Sequence, residues 1–164
     1  MIQKSTLLFI SCLLVACGSK APSARIVDYG IYDAVLVTSG NWKLGIPVTI
    51  TSAHGLKHQQ TVTRVPTESG RCWGFRALLS NPLKDRSITC VHKIDHPEFT
   101  VPDGTKQTNQ SQELELAPGE TITQNFMWFF IEGCEHEFLP GTWTHRVILD
   151  GREVIRKEFE VYKP

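Results

Sequence analysis

Five cysteines and six histidines are the residues of this 164-residue chain best suited to chemistry. "CEHE" places Cys134, Glu135, His136 and Glu137 in one stretch, "VHKIDHPE" spaces His92 and His96 four apart, and "AHGLKH" does the same for His54 and His58. Zinc or copper accepts such ligands. The four-residue spacing aligns two imidazoles only on a helix, however, and these stretches read as strands or turns. On a strand, His92 and His96 share a face but lie about 13 Å apart along it. No metal site is therefore expected; if one existed, Cys134, His136, His92 and His96 would be its candidate ligands. The histidines read as surface residues and "CEHE" as a solvated acidic loop. Nucleophilic catalysis has even less to build on. There is no G-x-S-x-G elbow, and no spacing designates a histidine as base for Cys72 or Cys134. Glu113 and Glu115 flank Leu114 and Leu116 as the wet face of a strand would. The chain reads as a non-enzyme without a cofactor.

One cysteine has a different chemistry. Lys4 precedes a short apolar run, Leu7 to Val15, that ends in Leu14-Val15-Ala16-Cys17. The run is shorter than the roughly 20 residues needed to span a bilayer and has the proportions of a signal-peptide core. Its end resembles the lipobox of bacterial lipoproteins. That resemblance implies cleavage before Cys17 and a diacylglycerol on its thiol; one acyl chain anchors only marginally, two or more stably. Residues 1–16 are thus expected to be a lipoprotein signal peptide and 17–24 an acylated cysteine with a flexible tether, since Gly18-Ser19-Lys20-Ala21-Pro22-Ser23 has too little apolar surface to fold. Gly18, in the position where aspartate favours the inner membrane, points to the outer membrane, facing the periplasm.

Three cysteines remain in what would be an oxidising compartment. An odd number permits at most one internal pair. Cys90 shares an apolar face with Ile88 and Ile94 and reads as a small buried hydrophobe. Cys72 and Cys134 each follow a glycine near a strand end, and are the expected disulfide; closing a loop of that length stabilises by roughly 4 kcal/mol on the chain-entropy model.

The elements that position these residues are strands. About 140 residues, residues 25–164, make one domain. Loss of Lys4 with the leader leaves 16 of the 17 basic residues against 17 acidic ones, which lacks the basic footprint of a nucleic-acid binder. Trp73, Phe75, Ala77 and Leu79 alternate, as do Ile88, Cys90, His92 and Ile94, then Ile122, Phe126 and Trp128. Turn signals such as Ser69-Gly70, Asn81-Pro82 and Pro118-Gly119 break these runs, which suggests an all-β antiparallel β-sandwich. In the last hairpin, Trp143, His145, Val147 and Leu149 face Ile155, Phe159 and Val161. Burying both sets requires Trp143 opposite Phe159, and a three-residue loop from Asp150 to Arg152 delivers that register.

The series "IVDYGIY", "IPVTI", "CWGFRALLSNP", "HPEFTVPDG" and "LPGTWTHRVILDGREVIRKEFEV" resembles a bacterial domain family of unknown function with an immunoglobulin-like fold. The likeness covers residues 25 to 162, and Gly74-Phe75-Arg76, His96-Pro97 and Gly141-x-Trp143 with its Asp150-Gly151 turn carry it. The three cysteines depart from it. The family brings no activity to transfer. Two functions are expected to compete: a lipid-anchored binding or adaptor module for an envelope protein or glycan, and a periplasmic metal-binding or redox protein using the Cys/His loop.

Overall fold

The structure, a computed structural model, describes residues 21–41 and 46–164. The expected signal peptide, Cys17 and the tether as far as residue 20 lie outside the described residues. Nine strands follow in order: β1 (Ser23–Asn41), β2 (Ile46–Gln60), β3 (Arg64–Pro66), β4 (Cys72–Ser80), β5 (Ile88–Thr100), β6 (Lys106–Leu116), β7 (Thr121–Phe129), β8 (Gly141–Leu149) and β9 (Arg152–Tyr162). β1 begins inside the stretch read as the end of the tether, because Ser23 already pairs with Ser80. Apart from one short 3-10 turn at Glu135–Glu137, the described residues hold no helix.

The strands form two sheets. One has the order β2-β1-β4-β7 and the other β3-β9-β8-β5-β6. All pairings are antiparallel except β3 with β9. The alternating residues make the filling between the sheets. Trp73, Phe75, Ala77 and Leu79 are fully buried, and Trp73 packs its ring on Trp143, Phe159, Phe130 and His145. Burial of one such side chain contributes about 1.5–3 kcal/mol, so the aromatic cluster is the main cohesive element. The expected all-β sandwich and its inward faces are borne out.

The last hairpin has the expected register, Trp143 opposite Phe159 and Val147 opposite Ile155, but reaches it by another route. Leu149 pairs with Arg152, so the loop has two residues, and both Asp150 (φ 52°) and Gly151 (φ 79°) are left-handed, as a type I′ turn demands. A bulge between Val147 and Ile148 absorbs the odd residue.

The first sheet has a glycine seam. Gly30 and Gly74 are cross-strand partners with φ of 128° and 146°. A Cβ on Gly30 would meet the Gln60 carbonyl oxygen at 1.9 Å, and one on Gly74 the Phe126 carbonyl oxygen at 2.1 Å. Only glycine permits this approach. Beyond the seam β1 continues with β2 as a long arm, on which Val35 is exposed.

Candidate functional site

The two sheets are unequal, with four strands over five. β7 lies above β5 and β8: Phe126 touches His92 (ring centroids 4.7 Å apart) and Trp128 touches Trp143 (4.9 Å). β6 projects past β7. Its inward positions alternate with Glu113 and Glu115, and near the base of the strand Leu114 and Leu116 are covered by the other sheet. Further along, Gln110 and Gln112 occupy the same inward face yet are exposed.

A cleft of about 500 Å³ occupies this step, within the size range of ligand sites. Its walls are Gln110 and Gln112 of β6, Asn125, Met127, Trp128 and Phe129 of β7, and Leu56 with Ala53 from the β1–β2 arm. Ile131 and Glu137 close one end. Burial raises the Glu137 carboxyl to about 7. Trp128 is 8% exposed, and its indole N–H is buried with no hydrogen-bond partner among the described residues.

The backbone of β7 is open towards the cleft. Just beyond the two ends of the β4–β7 ladder, Phe130 N–H donates to the Arg71 carbonyl (2.9 Å) and Asn81 N–H to the Glu120 carbonyl (2.8 Å). Hydrogen-bonded and non-bonded pairs alternate in antiparallel strands, so even-numbered residues of β7 bond to β4. Thr121, Thr123, Asn125, Met127 and Phe129 point their N–H and C=O groups outwards. Among the described residues, the side-chain hydrogen bond to these groups is from the Gln124 amide to the Asn125 carbonyl, at 3.4 Å.

The candidate metal ligands do not assemble. His92 is a core residue, 5% exposed, with Nε2 3.1 Å from Nδ1 of the fully buried His145. Burial pushes His92 down to about 4 and holds His145 well below the ordinary imidazole value, helped by the adjacent His92. His96, 7% exposed, stacks on Phe99 at 4.5 Å. The surface reading of these two histidines is thus corrected: an imidazole has enough apolar ring to fill an aromatic core when one nitrogen finds a partner. Cys134 and His136 do share one loop, where His136 approaches Phe99 edge-on and lies 3.8 Å from Glu137. Among the described residues no three His, Cys, Asp or Glu side chains form a metal-sized group.

The expected Cys72–Cys134 disulfide is not made. Cys72 lies on the face of β4 opposite Trp73, beside Tyr32 and Phe129 in the ladders. Burial, and then the nearby Asp33 charge, push its thiol up to about 12. Cys134 sits in the turn after β7, its N–H bonded to the Ile131 carbonyl. Cys90 is fully buried, as expected.

The motifs singled out in the sequence interlock. Arg76 of "GFR" forms a bidentate ion pair with Asp28 of "IVDYGIY", which also accepts a 2.6 Å hydrogen bond from Tyr32. Arg76 holds the Asp28 carboxyl below the usual carboxylate range. The Pro97 ring packs against Gly141, where a Cβ would come within 2.8 Å, and His96 lies against Trp143 at 5.0 Å. These residues join strands to one another. The cleft itself was not anticipated from the sequence; its signal was the run of glutamines at positions where a strand of a closed sandwich carries apolar residues.

The fold is similar to that of a crystallised immunoglobulin-like protein from Pseudomonas aeruginosa, with a TM-score of 0.57 over 85% of this chain and 97% of that one. At 23% identity the likeness is one of fold. No curated protein matches the chain. A family model described as a domain of unknown function, DUF3859, matches residues 20–161. With nearly the whole domain matched, the chain belongs to the DUF3859 family.

Proposed function

We propose that this protein is a bacterial envelope lipoprotein whose sandwich acts as a non-enzymatic binding or adaptor module. Cys17 would carry the acyl anchor, and Gly18 would direct it to the outer membrane, facing the periplasm. The observation that supports binding is the cleft between β6 and β7, where side-chain amides, an aromatic wall and unpaired backbone groups converge. Such a mixture recognises; it offers no nucleophile, base and orienting group in mutual reach. Placement on a membrane would confine the module to a thin shell and raise its effective concentration towards envelope partners.

Two measurements test this. Palmitate labelling should mark the wild-type chain and not Cys17→Ser; label that persists in the variant overturns the anchor. A photo-crosslinking amino acid placed singly at Thr123, Gln112 and Val35 should yield adducts in intact envelopes. Absence of adducts at every site overturns the binding role.

A further inference from the structure

The uncovered part of β6 has a simple geometric meaning: the smaller sheet is one strand short. A strand laid beside β7 would continue that sheet, cover Gln110 and Gln112, and point alternate side chains into the cleft. We propose that the β7 edge is a receptor for an extended polypeptide segment, which completes the sandwich by strand addition. This rests on the binding role above and specifies its partner.

Three observations carry it. The first is that β7 has neither the charge, the proline, the bulge nor the brevity by which sheet edges are protected, and among the described residues no strand pairs with its outer edge. Its nine residues, TITQNFMWF, include no charged side chain and no proline, and its pairing with β4 runs without a register shift. The other edges are guarded: the Ser23–Gly30 part of β1, which precedes its pairing with β2, carries Arg25 and Asp28 and has a register shift between Ile26 and Asp28. β3 has three residues and ends in Pro66; β2 carries Lys57 and pairs through several irregularities; β6 carries Lys106, Glu113 and Glu115. The second is the outward direction of the Thr123, Asn125 and Met127 backbone groups, which offers the main-chain ladder that strand addition uses. The third is the cleft beside that ladder, roomy enough for alternate side chains of a guest.

The geometry also favours a foreign segment over a second copy. Two β7 strands could pair about a two-fold axis only antiparallel. Ser23 pairs with Ser80, which pairs with Thr121, so the chain enters at the Thr121 end of β7, where Arg152 also holds the Pro22 carbonyl at 2.7 Å. A β7–β7 dimer would put the two entry points at opposite ends of a strand about 30 Å long. Because residues 17–22 reach about 20 Å fully extended, two such copies could share one membrane only with both β7 strands lying along it, a condition that a foreign strand does not impose. At the far end of β7 the loop carries Glu132, Glu135 and Glu137. A basic residue at the guest's end there would complement this charge and favour the ionised form of Glu137. The guest is therefore an uncharged, β-forming segment with a basic residue beside the loop.

The test uses a covalent guest, which supplies the high effective concentration that a short free peptide lacks. Tyr162 and the 131–137 loop lie at the same end of the sandwich. A Gly/Ser linker of about twelve residues after Pro164, then Arg followed by alternating Val and Thr over about nine residues, would be fused to the full chain in detergent. Hydrogen exchange at Thr123, Asn125 and Met127 should slow by about tenfold or more, as for amides that enter a ladder. Asn125→Pro, which removes only an outward donor, should abolish that gain while the Trp73 and Phe75 amides stay protected. Thr123→Lys serves as a second variant if the proline disturbs the fold. No slowing, or slowing that survives Asn125→Pro, overturns the proposal. So does sedimentation showing that the untailed chain dimerises and that Asn125→Pro makes it monomeric, since the edge would then take a second copy. Envelope crosslinks from Val35 with none from Thr123 or Gln112 would overturn strand addition while leaving the binding role standing.

Discussion

The buried imidazole pair gives the protein an acid sensitivity that can be calculated. His145 is fully buried, surrounded by Trp73, Phe75 and Phe159, and hydrogen-bonds to His92. Burial keeps both rings neutral far below 6.5, their ordinary value. The unfolded chain takes up protons on these residues as pH falls through 6.5, while the folded chain does not. Stability is therefore complete above that pH and declines below it, until the folded-state value is reached near 4 for His92. A histidine that stays neutral in the fold costs about 2 kcal/mol between pH 8 and pH 5. Glu137 acts in the opposite sense: its carboxyl is raised from 4.5 to about 7, so acidification through that window favours the fold. A comparison with His145→Phe cancels it. Urea unfolding followed by tryptophan fluorescence at the two pH values should show the wild type losing about 2 kcal/mol more than His145→Phe. A difference below about 0.5 kcal/mol, the scale of the extrapolation error, would refute the reasoning and require that His145 is protonated within the core.

Trp143→Ala should cost about 3–5 kcal/mol in the same urea assay, because the ring is fully buried between Trp73, Trp128 and Phe130; a loss below about 1 kcal/mol would mean that the cluster does not hold the sheets. The Cys72 and Cys90 thiols, pushed up to about 12 and about 11 by burial, should resist a thiol reagent at pH 8 in the native protein and react on unfolding, as mass spectrometry of the labelled peptides would show.

The sandwich was legible because period-two alternation is written directly in the residues: Trp73 to Leu79 and Ile88 to Ile94 each identify one buried face. The hairpin shows the limit of that signal. Trp143 had to oppose Phe159 for both to be buried, but alternation does not distinguish a three-residue loop from a two-residue loop with a bulge. The histidines failed for a chemical reason. His92 and His145 are polar one at a time and become core residues only as a pair, and the pairing joins β5 to β8 across 53 positions of sequence. The cleft failed for a topological one. Gln110 and Gln112 read as polar whether a strand is at an edge or at an unfilled step, and only the strand count of the opposite sheet tells the two apart.

The position of β1 has a mechanical consequence. β1 starts at Ser23 and runs down the smaller sheet, bonded to β4 as far as Tyr32 and to β2 from Ile31 onwards. A pull arriving at Ser23 acts along the strand axis. It cannot peel β1 away one hydrogen bond at a time, as a pull across an edge strand would, but must slide it past β4 with the rungs stretched together. Under the proposed anchoring, tension from the membrane side would thus be resisted by the β1–β4 ladder in shear and passed to the body of the sandwich, sparing the arm that β1 and β2 form beyond it.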